Sequence, residues 1–183
     1  MKRIILSLII ALPLCTYAQR HSVGISAVEL NGGILPEAGC GPTASVGYST
    51  YLSSKSILRF SADYMNNNIK LYKDRFNVAD YGISADWQRT LLTNRTNYFI
   101  NFGGGMMVGY EDIGSIKTKY NENGLKNDMK SRFIVSPFIS ASAELFIKNN
   151  TAIIFNIRKS YTPLSDVKNW NSVVSVGIKQ LLF

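Results

Sequence analysis

The side chains that could carry chemistry in this sequence are one histidine, two cysteines and a set of carboxylates and arginines. His21 lies ahead of every patterned segment, so neither a Ser-His-Asp triad nor a histidine-ligated metal site can be assembled within them. Carboxylates could pair as an acid and a base, but carboxylates and arginines on one face more often form an ion-pair network. Six such charges fall within alternating segments: Arg59, Asp63, Asp80, Asp86, Glu144 and Arg158.

The two cysteines and the glycine run give weaker signals. Cys15 lies in the apolar N-terminal stretch, which leaves Cys40 without an intramolecular disulfide partner once that stretch is removed. Cys40 could be a reactive thiol, but a small residue in a Pro/Gly loop is the favoured interpretation. Gly103-Gly104-Gly105 lacks the glycine spacing and the following helix of a phosphate loop. We therefore expect no catalytic residue, cofactor, metal or small-molecule substrate.

The N-terminus predicts secretion. Lys2 and Arg3 precede an apolar run that is too short to span a bilayer, and Ala18 ends a cleavage site of small residues. We expect a signal peptide over residues 1–18 and a single domain over 19–183. A lipoprotein signal at Cys15 is the alternative, but Leu14 stands where such signals need a small residue.

The six charged residues lie in segments where apolar residues alternate with polar or small ones. It predicts eight strands that begin with ISAVELNGGI and end with NSVVSVGIKQLLF, with the charges on the face opposite the apolar stripe. Polar segments, among them residues 66–74 and 112–131, predict long connections after odd-numbered strands and short ones after even-numbered strands. The pattern indicates an all-β fold, an eight-stranded antiparallel up-and-down transmembrane β-barrel with its charges in the lumen.

Aromatic residues decide between a membrane barrel and a secreted lipocalin-like barrel or sandwich. They lie on the apolar phase and mostly near strand ends, which favours interfacial girdles in a bilayer. We therefore expect a location in the bacterial outer membrane, in contact with its lipid. The predicted interfacial aromatics are Tyr48, Tyr64, Tyr81, Trp87, Tyr98, Tyr110 and Tyr161.

The formal net charge of +8 raises the question of nucleic acid. The Lys-rich segment of the longest loop could contact phosphates of lipopolysaccharide, a partner protein or DNA, but asparagines and acidic residues interrupt it. We expect a solvated loop without direct nucleic-acid binding. Its possible partner-binding residues are Lys117, Lys119, Tyr120 and Lys126.

The C-terminal strand contains a conflict of phase. Val174, Val176 and Ile178 predict an outward stripe on even positions, whereas the terminal Phe183, the expected barrel-closing aromatic, is odd. A bulge or loss of regular pairing around residues 179–181 would resolve the conflict by letting Lys179 leave the lipid phase.

The order of motifs resembles a known family. VELNGGI, ADYGISADWQRTLL, YFINFGGGMMVGYE, IIFNIRKSY and SVGIK are similar to segments of the TraO family of conjugative-transposon proteins from Bacteroidetes. The resemblance implies an outer-membrane component of a conjugative DNA-transfer apparatus related to type IV secretion, with other transfer proteins as partners. It transfers no catalytic residue. The alternatives are a general outer-membrane barrel for adhesion or membrane integrity and an outer-membrane enzyme with a rim active site.

Overall fold

The computed structural model describes residues 21–38, 40–71, 74–94, 97–113, 131–165 and 169–182. Its eight strands are hydrogen-bonded antiparallel in chain order, and β1 also pairs with β8, so the sheet closes into the predicted barrel. No helix in these ranges is long and apolar enough to cross a membrane. The strands are β1 Ser26–Leu35, β2 Gly41–Ser53, β3 Ser56–Leu71, β4 Asp74–Thr93, β5 Tyr98–Asp112, β6 Arg132–Phe146, β7 Thr151–Tyr161 and β8 Trp170–Leu182.

The two ends of the barrel differ. Residues 54–55 and 147–150 connect strands at the turn end, where β4 also ends, β5 begins, β8 ends and residues 21–25 lie. The 3₁₀ helix Pro36–Ala38, the ends of β5 and β7 and the starts of β6 and β8 lie at the loop end. The predicted connection over residues 66–74 is wrong, because β3 continues to Leu71 and β4 begins at Asp74. Three consecutive asparagines, residues 66–68, interrupt the alternation there, although the backbones stay paired.

The faces follow the alternation. Leu30, Ile83 and Ile178 point outward and are 59–70% exposed, whereas Glu29 and Ser84, one position away, are buried in the lumen. The ladder between β6 and β7 ends at Phe138↔Ser160, next to Pro137. Proline has no backbone N–H to continue such a ladder, which explains why pairing stops there.

The lumen holds two apolar clusters that the sequence did not predict. One, at the turn end, consists of Ala27, Tyr51, Ile57, Phe99, Phe146, Ala152 and Leu181. The second, toward the loop end, consists of Leu35, Met65, Met107, Ile134, Phe138 and Val173. Charged side chains pack between them, so the interior is filled, as expected for eight strands.

The predicted bulge in β8 is wrong. Pairing with β1 is regular from Ile34↔Val174 to Ser26↔Leu182, and Lys179 faces the lumen on strict alternation, paired across the seam with Glu29. An inward lysine needs no bulge because two carboxylates meet it inside the barrel. Register shifts occur instead between Tyr51 and Ser53 and between Thr90 and Leu92.

Candidate functional site: the lumen network and the two barrel ends

Arg59 is the centre of one half of the charged layer. Its Nε and Nη2 donate to the two carboxylate oxygens of Asp86, at 2.8 and 3.1 Å, in the paired geometry that strengthens arginine–carboxylate contacts. Its Nη1 lies 3.6 Å from Glu29 Oε2 and donates to Asn156 Oδ1 at 3.4 Å. Gln88 Nε2 also donates to Asp86, at 2.8 Å. This cluster joins residues of β1, β3, β4 and β7 across the lumen.

Glu144 is the centre of the other half. Its Oε1 accepts from Lys179 Nζ at 3.0 Å and from Asn101 Nδ2 at 2.9 Å, and its Oε2 accepts from the Tyr51 hydroxyl at 3.3 Å. Lys179 Nζ also lies 3.0 Å from Glu29 Oε1, so this lysine links the two halves. The sequence analysis did not include Lys179 in the lumen charge network. Because Ile178 faces outward, strict alternation places Lys179 on the inner face.

His21 lies inside the barrel, although its position ahead of the first strand had predicted that it lies outside. It is 5% exposed, stacks on Phe99 at 3.6 Å and lies 4.3 Å from the Tyr51 ring. Its Nε2 donates to Glu144 Oε2 at 3.2 Å. Burial lowers the pKa of His21 even though Glu144 opposes the shift, so the buried ring is held neutral. The N-terminal segment thus enters the turn end of the barrel.

Asp63 and Arg158 form a separate pair toward the loop end. Arg158 Nη1 donates to Asp63 Oδ2 at 3.1 Å, and the guanidinium lies 5.0 Å from the centre of the Phe138 ring. A cavity of about 40 Å³ lies between this pair and Arg59, lined also by Asn31 and Asn156. That volume is enough for a few water molecules.

Asp80 does not join the other five predicted charges. It lies on the loop side of the second apolar cluster, directly opposite Glu111 on β5. Its Oδ2 accepts from Asn67 Nδ2 at 3.1 Å. Glu111, which is not among the six charges predicted for the lumen, is 3% exposed and accepts from Ser165 at 2.6 Å.

The seven predicted interfacial aromatics face outward. Tyr81, Trp87 and Tyr48 are 46–51% exposed. Tyr64, Tyr81, Tyr110 and Phe133 stand directly opposite one another across β3, β4, β5 and β6, with ring centres 5.2 Å apart in the first pair and 5.5 Å in the last. Tyr161 and Trp170 meet at 4.8 Å on the far side of the same end. Phe133 and Trp170 were not predicted as girdle residues.

Several predicted residues fall outside the described ranges or outside the lumen. The signal peptide over 1–18, the loop residues Lys117, Lys119, Tyr120 and Lys126, and the terminal Phe183 all lie outside the described residues. Cys40 is an exposed free thiol at the loop end, in a left-handed conformation with φ 58°.

The chemistry available to the central network is limited. Glu29, Asp86 and Glu144 each contact a cationic side chain and are about 2% exposed. Among the described residues, no group of three or more His, Cys, Asp or Glu side chains is arranged to hold a metal ion. The network therefore ties strands together and fills the barrel.

Similar structures are small outer-membrane barrels. OprG of Pseudomonas aeruginosa matches with a TM-score of 0.69 at 9% identity, covering 91% of this chain and 99% of that one. The N-terminal barrel domain of P. aeruginosa OprF matches with a TM-score of 0.57 at 11% identity, covering 87% and 98%. Ail, the attachment invasion locus protein of Yersinia pestis, matches with a TM-score of 0.53 at 11% identity, covering 87% and 99%. At such identities the likeness concerns the fold alone.

Sequence comparison is more specific. A search of curated proteins finds no match. The family model described as "Conjugative transposon protein TraO" matches residues 35–182, which is most of the chain and includes β2 to β8 and the last residue of β1. The expected family is therefore confirmed, and this eight-stranded barrel belongs to the TraO family of conjugative transposon proteins.

Proposed function

We propose that this protein is an outer-membrane barrel that serves a conjugative transfer apparatus as a structural or docking subunit. Its family supports the link to conjugation. An outward apolar face with aromatic rows supports an outer-membrane location.

The observation that carries the structural role is the filled lumen. Apolar clusters lie on both sides of the Arg59 and Glu144 networks, and the cavity near Arg59 is only about 40 Å³. An interior packed with side chains passes neither DNA nor protein. The protein's contribution to transfer then lies on surfaces that remain available, the turns, the loops and the rims.

We propose no catalytic activity. The one histidine bonds a carboxylate and stacks on Phe99, but His21 and Glu144 are 5% and 2% exposed, so a substrate cannot reach them. A hydrolase needs a nucleophile in contact with its base. The hydroxyl of Ser49 is directed to Glu29 at 2.9 Å instead.

Deletion of the gene in a donor strain tests the role in conjugation. We expect the frequency of transfer to fall and to be restored by the intact gene supplied elsewhere. Unchanged transfer, together with altered surface adhesion or detergent sensitivity, would instead support the alternative of a general outer-membrane barrel.

Site-specific photo-crosslinking in mating cells tests the docking surface. A crosslinker at Lys55 or Lys148 reports on the turn end, and one at Leu164 reports on the loop end; all three side chains are exposed. Ile83, on the outward face and 70% exposed, is the matched control. We expect protein adducts containing transfer proteins from one end and none from Ile83. Adducts absent from all three end positions would contradict docking through these surfaces.

A further inference from the structure

The loop end of the lumen contains a pair of like charges. Asp80 and Glu111 are directly opposite each other on β4 and β5, both point inward, and they are 2% and 3% exposed. Side chains at such positions have Cβ atoms about 5 Å apart, and like charges there repel each other. Two carboxylates buried together need a neutralising partner.

The described side chains around the pair supply only part of the positive charge that would neutralise two carboxylates. Asn67 donates to Asp80 Oδ2, and Ser165 donates to Glu111 Oε2. Both donors are neutral. Arg132 is opposite Glu111 on β6, and its Nη1 donates to the Leu164 carbonyl at 2.9 Å. Even with Arg132 counted, two ionised carboxylates would leave the described part of this group with a net negative charge.

Three buried oxygen atoms of this group indicate that a ligand binds here. Asp80 Oδ1, Glu111 Oε1 and Asn67 Oδ1 are buried and form no hydrogen bond with the described part of the protein. The Asn67 oxygen is an independent observation, since it belongs to a neutral amide, 3% exposed, whose nitrogen is already bonded to Asp80. Buried oxygens are normally satisfied, so three without a donor on residues that are paired or hydrogen-bonded to one another need an explanation.

Two carboxylate oxygens and an amide carbonyl oxygen are the ligands that Ca²⁺ prefers, with water completing its six to eight positions. We propose that Asp80, Glu111 and Asn67 form a binding site for a hard divalent cation of the Ca²⁺ type at the loop end of the barrel. The cation neutralises the paired carboxylates and joins β3, β4 and β5. Ser165 and Arg132 hold the 162–165 segment against this site.

Calorimetric titration of the full mature chain, refolded in detergent micelles and freed of metal by a chelator, tests the proposal. With CaCl₂ we expect one ion per chain and a Kd between about 10⁻⁵ and 10⁻³ M, from the weakest sensor sites to the range of extracellular modules. Asp80→Asn with Glu111→Gln should weaken binding at least tenfold. Glu37→Gln, which changes an exposed carboxylate at the same end, should leave the affinity unchanged.

Variants of Asn67 test whether its side chain binds the cation or has only a structural role. Asn67→Asp adds a third carboxylate oxygen and should tighten Ca²⁺ binding, while Asn67→Ala should weaken it. Thermal unfolding gives a second readout that does not depend on the double variant: Ca²⁺ should raise the midpoint of the unaltered protein, and either single carboxylate variant should reduce that shift. Absence of Ca²⁺ binding by the unaltered protein, or equal affinity in the double variant, would overturn the proposal and assign the pair a shared proton.

Discussion

Lys179 Nζ lies 3.0 Å from a carboxylate oxygen of Glu144, although the lysine is on β8 and the glutamate is on β6. The same ammonium group contacts Glu29 on β1 at 3.0 Å. One lysine therefore bonds across the lumen and across the seam where the first and last strands meet.

Lys179→Met should destabilise the barrel strongly. The substitution keeps an unbranched apolar chain but leaves Glu29 and Glu144 buried with less positive charge, which costs about 3 kcal/mol or more. Lys159→Met is the control, because Lys159 and Glu37 form an ion pair that is more than one-third exposed and is worth less than about 1 kcal/mol. Urea unfolding in micelles measures both. Equal midpoints for the two variants would show that the buried lysine contributes no more than the exposed one.

Docking of the N-terminal segment should weaken as the pH falls. The pKa of His21 is lowered by burial from its ordinary value of 6.5, so the undocked segment binds a proton more readily than the docked one. The docked state is therefore fully stable above pH 6.5 and loses stability as the pH falls from there toward the lowered pKa. Gly24 N–H, which donates to the Tyr51 carbonyl at 3.0 Å, is a suitable reporter.

Hydrogen exchange at Gly24, corrected for the intrinsic effect of pH, should show less protection at pH 5.5 than at pH 7.5. His21→Phe keeps the aromatic ring against Phe99 but cannot ionise, so its protection should not change with pH. The same pH dependence in that variant would assign the effect to another group.

The glycine run in β5 should be intolerant of alanine. A Cβ on Gly105 would lie 2.1 Å from the Ala85 carbonyl oxygen, which is backbone of the neighbouring strand and cannot turn aside. Gly105→Ala should therefore cost about 1–3 kcal/mol, the usual cost of overpacking. At Gly32, also within a strand, an added Cβ meets nothing within 4 Å. Gly32→Ala should be neutral in the same urea unfolding measurement, and equal losses would contradict the steric explanation.

The two tryptophans should report contact with lipid. Trp87 and Trp170 face outward, 50% and 53% exposed, at different heights on the barrel. In vesicles of brominated phospholipid we expect the fluorescence of both single-tryptophan variants, Trp87→Phe and Trp170→Phe, to be quenched. Strong quenching by aqueous iodide without quenching by lipid would place the outward face in water and contradict the membrane assignment.

Period-two alternation predicted most of the fold because it depends only on neighbouring residues. It identified eight strands, their inward and outward faces and the inward charges Arg59 and Glu144. It failed at residues 66–71, which belong to β3, because the three consecutive asparagines at 66–68 interrupt the alternation and are typical of a loop. Hydrogen bonds to β4 hold the backbone there, and they cannot be predicted from the residues of β3 alone.

The partners of the inward charges could not be predicted because they depend on the closed barrel. His21 and Glu144 are 123 residues apart in sequence, and nothing local indicates that an N-terminal segment turns into the lumen. Lys179 illustrates the same difficulty. Its inward side follows from its parity beside Ile178, but the carboxylates that bind it belong to β1 and β6, so its partners could not be predicted.

The pairing of β1 with β8 is also the step that closes the barrel. It joins positions such as Glu29 and Lys179 that are almost the whole chain apart, so its formation bears the largest loop-closure entropy in the molecule. Until β8 pairs with β1, the sheet has two open edges that can pair with other copies. Closure removes both edges, and the same event removes Lys179 from water.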